Sequence, residues 1–334
     1  MPANLSPEYK AAEAAYRKTR DPRERLECLK QMLSVIPKHK GTEHLQADIK
    51  GRIKELTEDL EGGARKGGGH GGPALVVRPE GAAQLVLLGP PNAGKSSLFA
   101  RLTGVQARVA PYPFTTQFPE PGMMSHEDVH FQLLDLPAIS TEHPVPWLAG
   151  ALQTADAALL VVDLNDPACL EQIEAVRAIL APKRVTLTEE WRAPSFDDDP
   201  FSVRLPTLLL ANKADLEADP QAELQAFGEL AGLRFPATAV SAQTGFGLDA
   251  LGSWLFDHLG IVRIYTKAPG HAPDKGRPFT IRRGQTVADV ARLIHKDLEQ
   301  GFKYARVWGA SGFDGQHVGH EHALADGDVL ELHS

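Results

Sequence analysis

Two spacings of apolar residues organise this chain. Between Pro7 and Leu60 they return every three or four positions: Leu26, Leu29, Leu33 and Ile36 before a break at Pro37, then Leu45, Ile49, Ile53, Leu56 and Leu60. That is the period of one buried helix face. The segment therefore reads as an amphipathic helical hairpin or small bundle, with Thr42-Glu43 opening the second helix and Gly62-Gly63 closing it. The pattern suits a packing module and a partner- or ribosomal-RNA-binding arm equally. Gly62–Gly72, GGARKGGGHGG, is a flexible linker by composition.

From Gln84 to about Gly260 the rhythm changes, and short apolar runs alternate with helical patterns. Strands are predicted over Gln84–Leu88, Val129–Leu134, Ala157–Val162, Thr207–Leu210 and Ala237–Val240. Helices are predicted over Ser96–Leu102, Leu170–Leu180, Ala222–Leu230 and Leu248–Leu259. Such alternation defines an α/β domain with a doubly wound, mostly parallel sheet, which binds ligands at the carboxyl ends of its strands. Ala181–Leu205, containing Asp197-Asp198-Asp199-Pro200, interrupts the rhythm and reads as a surface insertion. Further on, Val262–Thr266, Phe279–Arg282, Tyr304–Trp308 and Asp328–Leu332 look like short strands, with a helix over Val287–Leu298 and glycine-marked turns. A small α+β domain of the β-grasp kind fits them. The expected division is 1–61 helical, 62–83 linker and lead-in, 84–260 α/β and 261–334 β-grasp.

The chain's 334 residues, 43% of them hydrophobic, suffice for two or three cored domains. No window approaches the roughly 18 consecutive apolar residues of a membrane span. Met1–Ala15 is charged and has no apolar core of a secretory signal. The two cysteines, Cys28 and Cys169, lie far apart, which excludes a disulfide framework and fits a cytoplasmic protein without a membrane partner. Cys28 falls on an apolar helix face and is expected to pack there. The net charge of −8 is uneven: residues 73–262 hold 11 Lys/Arg against 23 Asp/Glu, whereas 1–72 hold 14 against 11 and 263–334 hold 10 against 9. The acidic middle would repel nucleic acid, so any RNA contact is expected at the ends.

Specific chemistry begins where the strand Gln84–Leu88 ends. The run Gly89-Pro90-Pro91-Asn92-Ala93-Gly94-Lys95-Ser96-Ser97 is G-x-x-x-x-G-K-S between a strand and a helix. Glycines let the backbone curl so that successive N–H groups, those of Ala93 to Ser97 included, cradle phosphate oxygens. The helix N-terminus adds its positive end. Lys95 is placed to reach the outer phosphates, and the Ser96 hydroxyl to ligate Mg²⁺. A glycine-rich turn that binds nothing is the alternative for this run in isolation.

Four further pieces follow in order, three of them at strand ends. Tyr112-Pro113-Phe114-Thr115-Thr116 lies in the loop after the first α/β helix, where the Thr116 hydroxyl can meet Mg²⁺ and its N–H the γ-phosphate. Asp135-Leu136-Pro137-Ala138 supplies an Asp of the Walker-B type. In Asn212-Lys213-Ala214-Asp215, the Asp215 carboxylate can accept both N–H donors of guanine, which adenine lacks. Ser241-Ala242 can offer a backbone N–H to the guanine O6. Together they describe a site for GTP or GDP with Mg²⁺.

On these motifs the chain resembles the translation-factor-related GTPases of the Obg–HflX superfamily, and most closely their developmentally regulated GTP-binding (DRG) branch. The resemblance runs through Lys40-Gly41-Thr42-Glu43-His44-Leu45, the polyglycine linker, Tyr112–Thr116 and Asp135-Leu136-Pro137. It continues in Ile264-Tyr265-Thr266-Lys267, Ile294-His295-Lys296-Asp297-Leu298, Phe302-Lys303-Tyr304-Ala305, Val307-Trp308-Gly309 and Asp326-Gly327-Asp328-Val329-Leu330. It implies that the last 70 or so residues are a TGS domain, a β-grasp module associated with RNA and ribosome contact. It implies a GTPase that binds GTP·Mg²⁺, with Lys95, Thr116 and Asn92 acting in catalysis and Ser96, Thr116 and (through a water) Asp135 holding the metal. Asn212 is then expected to brace the base loop. A ribosome, tRNA or rRNA partner and a regulatory protein partner follow from the same resemblance.

Two residues bear on rate. Ile139 stands where Ras-like enzymes carry a water-orienting Gln, which implies slow turnover. Asn92 matches an Asn that in related GTPases helps hold a potassium ion beside the phosphates; otherwise it is a turn residue suited to left-handed geometry.

The chain also departs from the pattern. Ala138 replaces the Gly of Asp-x-x-Gly, keeping the N–H but losing positive φ. Ser140-Thr141-Glu142-His143-Pro144-Val145-Pro146 replaces a glycine-rich switch segment, and its prolines stiffen it. A GTP-binding scaffold impaired in hydrolysis is therefore the competing expectation, and a protein whose ends carry the main, RNA-binding activity is a third. His317-x-x-His320-x-His322 reads as a surface loop rather than a metal site. Arg282-Arg283, Lys296, Lys303 and Arg306 form either a basic binding face or a solvated one.

Overall fold

The computed structural model describes residues 5–19, 21–37, 40–64, 77–105, 118–140, 142, 144–145, 147–191, 199, 201–232, 234–294, 301 and 303–333. Its chain divides into two compact units. The first comprises Met1–Pro79, Gln84–Gly122 and Leu133–Gly247, the second Glu80–Ala83, Met123–Gln132 and Leu248–Ser334.

The first unit opens with three helices. In α1 (Pro7–Lys18) the Ser6 hydroxyl accepts from the Tyr9 N–H at 3.1 Å, and Pro7 sits in the first turn, where no N–H is needed. Asp21 and Pro22 repeat the device for α2 (Pro22–Val35). The periodicity marked no break at Asp21-Pro22; the result is a small bundle rather than a hairpin. α3 (Glu43–Ala64) continues through Gly62-Gly63, which therefore do not end it. Tyr9, Tyr16, Leu29, Met32, Ile36 and Ile49 form a core that also takes in Phe201, and Cys28 packs at its edge.

Next comes the α/β layer. β1 (Ala83–Leu88) and β4 (Ala157–Asp163) are continuous apolar runs, as strands covered on both faces must be. β4 lies parallel to both β1 and β6 (Val203–Asn212), with Leu88 opposite Leu160 and Asp163 opposite Asn212. With β2 (Glu120–His126), β3 (Val129–Asp135) and β5 (Val185–Thr188) the strand order is β2-β3-β1-β4-β6-β5; β7 (Ala237–Ala239) also pairs with β6. The crossover helices are α4 (Lys95–Thr103), α5 (Leu148–Gln153), α6 (Cys169–Leu180) and α7 (Pro220–Ala231). The segment 181–205 is thus not merely a surface insertion. Val185 and Leu187 are buried where β5 extends the sheet beside Val203–Pro206.

The second unit contains α8 (Leu251–His258), then β8 (Ile261–Thr266), β9 (Asp274–Arg282), α9 (Val287–Ile294), β10 (Tyr304–Gly309), β11 (Gly312–Val318) and β12 (Asp328–His333). Its sheet order is β11-β10-β12-β8-β9, with the central β12–β8 pair parallel and the outer pairs antiparallel. Val287 and Val290 of α9 bury against Val262, Ile264, Ile281, Val307 and Leu330. One helix laid on such a mixed sheet is the β-grasp arrangement.

Arg263 of β8 ties the β2–β3 turn into this unit. Its guanidinium meets Asp326 at 2.7 Å, Asp128 at 3.1 Å and Glu127 at 2.5 Å, while the Tyr265 hydroxyl donates to Asp128. Burial works against the Asp128 carboxylate, but the Tyr265 and Arg263 hydrogen bonds outweigh it and hold it below the usual carboxylate range.

Candidate functional site

Between β1 and α4 the chain makes a tight cup. Gly89 has φ +146°, and a Cβ there would collide with the Val161 carbonyl oxygen of β4. Gly94 has φ +90°, and a Cβ would strike the Asn212 amide. At both positions only glycine fits. Asn92, at φ +61°, is an exposed left-handed residue, as a turn requires.

Lys95 starts α4 and is 6% exposed. Its ammonium donates to the Gly89 carbonyl at 3.1 Å and the Pro90 carbonyl at 2.7 Å, so it is held against the loop's own backbone. Burial brings its pKa down to about 8, partly opposed by the Asp135 charge. The Ser96 hydroxyl donates to Asp135 Oδ2 at 2.6 Å, joining the start of α4 to the end of β3. A hydroxyl and a carboxylate so paired form a hard-oxygen donor set of the type Mg²⁺ prefers. The Ile139 N–H donates to the Gly89 carbonyl at 3.2 Å, which lays the segment after Asp135 against the loop.

Asn212, at the end of β6 and 1% exposed, connects the two halves of the site. Its Nδ2 donates to the Ala93 carbonyl at 2.9 Å, and its Oδ1 accepts from the Ala242 N–H at 3.1 Å. Lys213 has φ +65° and pairs its ammonium with Asp163 at the end of β4. Asp215 is exposed and accepts from the Ser241 hydroxyl, which itself accepts from the Thr244 N–H at 3.0 Å. The structure thus brings together the loop Gly89, Pro91, Asn92, Ala93, Gly94, Lys95, Ser96 and Ser97 with Asp135, Ala138, Asn212, Lys213, Asp215, Ser241 and Ala242. Thr116 and the whole run Tyr112–Thr116 lie outside the described residues.

Asp163, Asn165 and Arg101 are additions that the sequence reading passed over. Asn165 reaches the Lys213 carbonyl at 3.4 Å, and Arg101 of α4 donates to the Thr244 carbonyl at 3.0 Å. A signal for Asp163 existed: it closes an apolar strand just as Asp135 and Asn212 close theirs. At the departures from the pattern, Ala138 is 9% exposed and not among the positive-φ residues. Ile139 is 4% exposed and packs its side chain into the main core, leaving no side chain there to orient water.

The histidine run is not a surface loop throughout. His317 lies in β11, stacks on Tyr304 at 4.6 Å between centroids and accepts from Arg306 Nε at 3.0 Å; His322 contacts Ser311. Among the described residues no group of three ligand-type side chains could hold a metal ion. Arg306 is half-buried and Lys303 exposed, whereas Lys296 lies outside the described residues.

A glycine-lined phosphate cup, a Ser–Asp pair at its mouth and an Asn–Asp–Ser base loop on a mostly parallel sheet define a P-loop GTPase core, here in one chain with a β-grasp domain. Comparison with known proteins agrees. Residues 84–189 match the model for the 50S ribosome-binding GTPase family, and residues 262–334 match the TGS domain. A GTP-binding protein of Methanocaldococcus jannaschii is 29% identical, over 92% of each chain. The developmentally-regulated GTP-binding protein 2 homolog of Dictyostelium discoideum is 28% identical, and ribosome-interacting GTPase 1 of Saccharomyces cerevisiae 26%, each over 92% of this chain and 98% of the relative. The chain thus carries a GTPase domain and a TGS domain, and along most of its length it is similar to DRG-type GTP-binding proteins.

Proposed function

We propose that this protein is a slow GTP-hydrolysing switch whose helical N-terminal region and TGS domain contact the ribosome, tRNA or rRNA. The observation that carries the nucleotide part is Asn212: one buried side chain fixes both the phosphate loop at Ala93 and the base loop at Ala242. In this reading Lys95 leaves its backbone carbonyls for the β/γ-phosphates, Asp215 reads the two guanine N–H groups, and the Ala242 N–H faces O6. Mg²⁺, held by Ser96, Thr116 and (through a water) Asp135, neutralises phosphate charge when bound. Asn92 would help hold a potassium ion, which would add to that neutralisation. Slow turnover follows from the core burial of Ile139. The name of the yeast relative supports ribosome contact, and a regulatory protein partner is part of the same reading. A cytoplasmic location accords with it; no described helix is long and apolar enough to cross a membrane.

Single-turnover hydrolysis in potassium against sodium tests the chemistry. Slow cleavage faster in potassium is expected. Equal rates remove the potassium role, and no cleavage above background in either salt favours the second reading, a GTP-binding scaffold, which Ala138 and the prolines Pro144 and Pro146 motivate. Ribosome co-sedimentation of the full chain and of a chain lacking 262–334 tests the partner: loss on truncation is expected, and unchanged sedimentation contradicts a TGS contact.

A further inference from the structure

The first unit contains a cavity of about 570 Å³ that the nucleotide site does not use, bounded by α1, α2, α3, α5 and the turn at 182–184. Its volume lies within the range of small-molecule sites. Four cationic side chains line it, Arg25, Arg52, Lys183 and Arg184, against two carboxylates, Asp48 and Glu55. That excess of positive charge stands out in a unit whose α/β part is acidic.

The three guanidinium heads are fixed in place by the fold. Arg25 donates to the Gln153 carbonyl at 3.2 Å and the Tyr16 hydroxyl at 2.9 Å; Arg52 donates to the Phe201 carbonyl and lies 5.1 Å from that ring's centroid; Arg184 pairs with Asp48 at 3.0 Å. These bonds occupy part of each guanidinium's five donors. Preorganised guanidinium forks match carboxylate and phosphate oxygens.

Gly51 adds an independent observation. It lies in the interior of α3, has no positive φ, and lines this cavity; a Cβ added to it would meet nothing within 4 Å. A mid-helix glycine weakens its helix relative to alanine. Neither backbone geometry nor packing demands glycine here, and its effect is to keep the cavity wall open. Ala149 and Gly150 of α5 are further small residues in its lining.

We infer that this cavity is a binding site for a compact polyanion, a phosphorylated or polycarboxylate small molecule, separate from the GTP site. The test is calorimetric titration of the full chain, presaturated with GDP so that the phosphate loop is filled, with inorganic pyrophosphate in one arm and citrate in the other. Binding of either anion with a dissociation constant of about 1 mM or tighter is expected, and the stronger arm identifies phosphate or carboxylate as the recognised group. Gly51→Trp, which fills the cavity, and Lys183→Glu should each weaken binding by roughly tenfold or more, while Gly51→Ala should retain it. GDP affinity and circular dichroism serve as folding controls, and Lys183→Glu keeps the test open if Gly51→Trp misfolds. No binding of either anion, or binding that the correctly folded variants leave unchanged, overturns the proposal.

Discussion

Asn212→Ala removes the side chain that joins phosphate loop to base loop, and its cost can be worked from the contacts. The amide satisfies the Ala93 carbonyl at 2.9 Å and the Ala242 N–H at 3.1 Å, and Ala93 is itself buried. Leaving a buried backbone group without a partner costs about 1–3 kcal/mol. Water entering beside the half-buried Ala242 offsets part of the second loss, so about 2–4 kcal/mol is expected in total. Asn212→Asp should be at least as harmful. It keeps the acceptor for Ala242 but turns a carboxylate oxygen on the Ala93 carbonyl and buries a charge. Urea unfolding of the nucleotide-free protein measures the stability loss, and displacement of a fluorescent GDP analogue measures the coupling to the site. GDP affinity should fall about 10–100-fold, since each 1.4 kcal/mol is a factor of ten. A loss below about 0.5 kcal/mol with unchanged GDP affinity would refute the staple, because it would mean both backbone groups find water at no cost.

Other consequences can be checked in the same material. Lys95, lowered by burial to about 8, should be drawn back to its charged form by phosphates. GDP binding should therefore take up a proton above pH 8 and weaken as pH rises, little of this should appear at pH 7, and Lys95→Met should abolish it; calorimetry in buffers of different ionisation heat reads the proton. Ala138→Gly should raise single-turnover hydrolysis about 5–30-fold if the γ-phosphate step needs a left-handed residue there, since that conformation costs alanine about 1–2 kcal/mol. An unchanged rate would clear Ala138 as the brake. Arg263→Met should destabilise the second unit by about 1–2 kcal/mol at pH 7, a figure discounted for the partial exposure of the cluster. Asp128 and Asp326 are held below their ordinary values, so the stability they contribute is present above the unfolded carboxylate range and lost as pH falls through their lower folded values. Acid unfolding followed by near-ultraviolet circular dichroism should thus begin at higher pH in the variant.

What the chain's apolar pattern reveals, and what it hides, has a physical basis. β1, β4 and the latter half of β6 are buried on both faces, so their apolar runs are unmistakable, and the motifs at their ends follow with them. β2 escapes notice because Glu-Pro-Gly-Met-Met-Ser-His buries only Gly122 and Met124. β11 is a polar edge strand with Val318 alone buried, and β5 is four residues at the sheet's end. α5, Leu-Ala-Gly-Ala-Leu-Gln, has no capping side chain and is too short to show a period. Long-range polar bonds are hidden for another reason. Nothing local marks Arg263 as the partner of Asp128, 135 residues away, or Lys213 as the partner of Asp163. Ile139 shows the converse: its identity announces a missing glutamine, but only the fold shows its side chain committed to the core.

The reading of the site as guanine-specific rests on Asp215, and one exchange tests it. A carboxylate accepts both guanine N–H groups, and charged hydrogen bonds contribute about 1.5–3 kcal/mol each. Asp215→Asn keeps an oxygen to accept from Ser241 but turns an N–H₂ toward the base, matching the carbonyl that xanthine carries in place of the guanine amino group. GDP and XDP affinities of wild type and variant should cross over: GDP should weaken by on the order of 10²-fold or more while XDP gains. Retained GDP affinity, or a GDP loss with no gain for XDP, would contradict guanine reading by this loop.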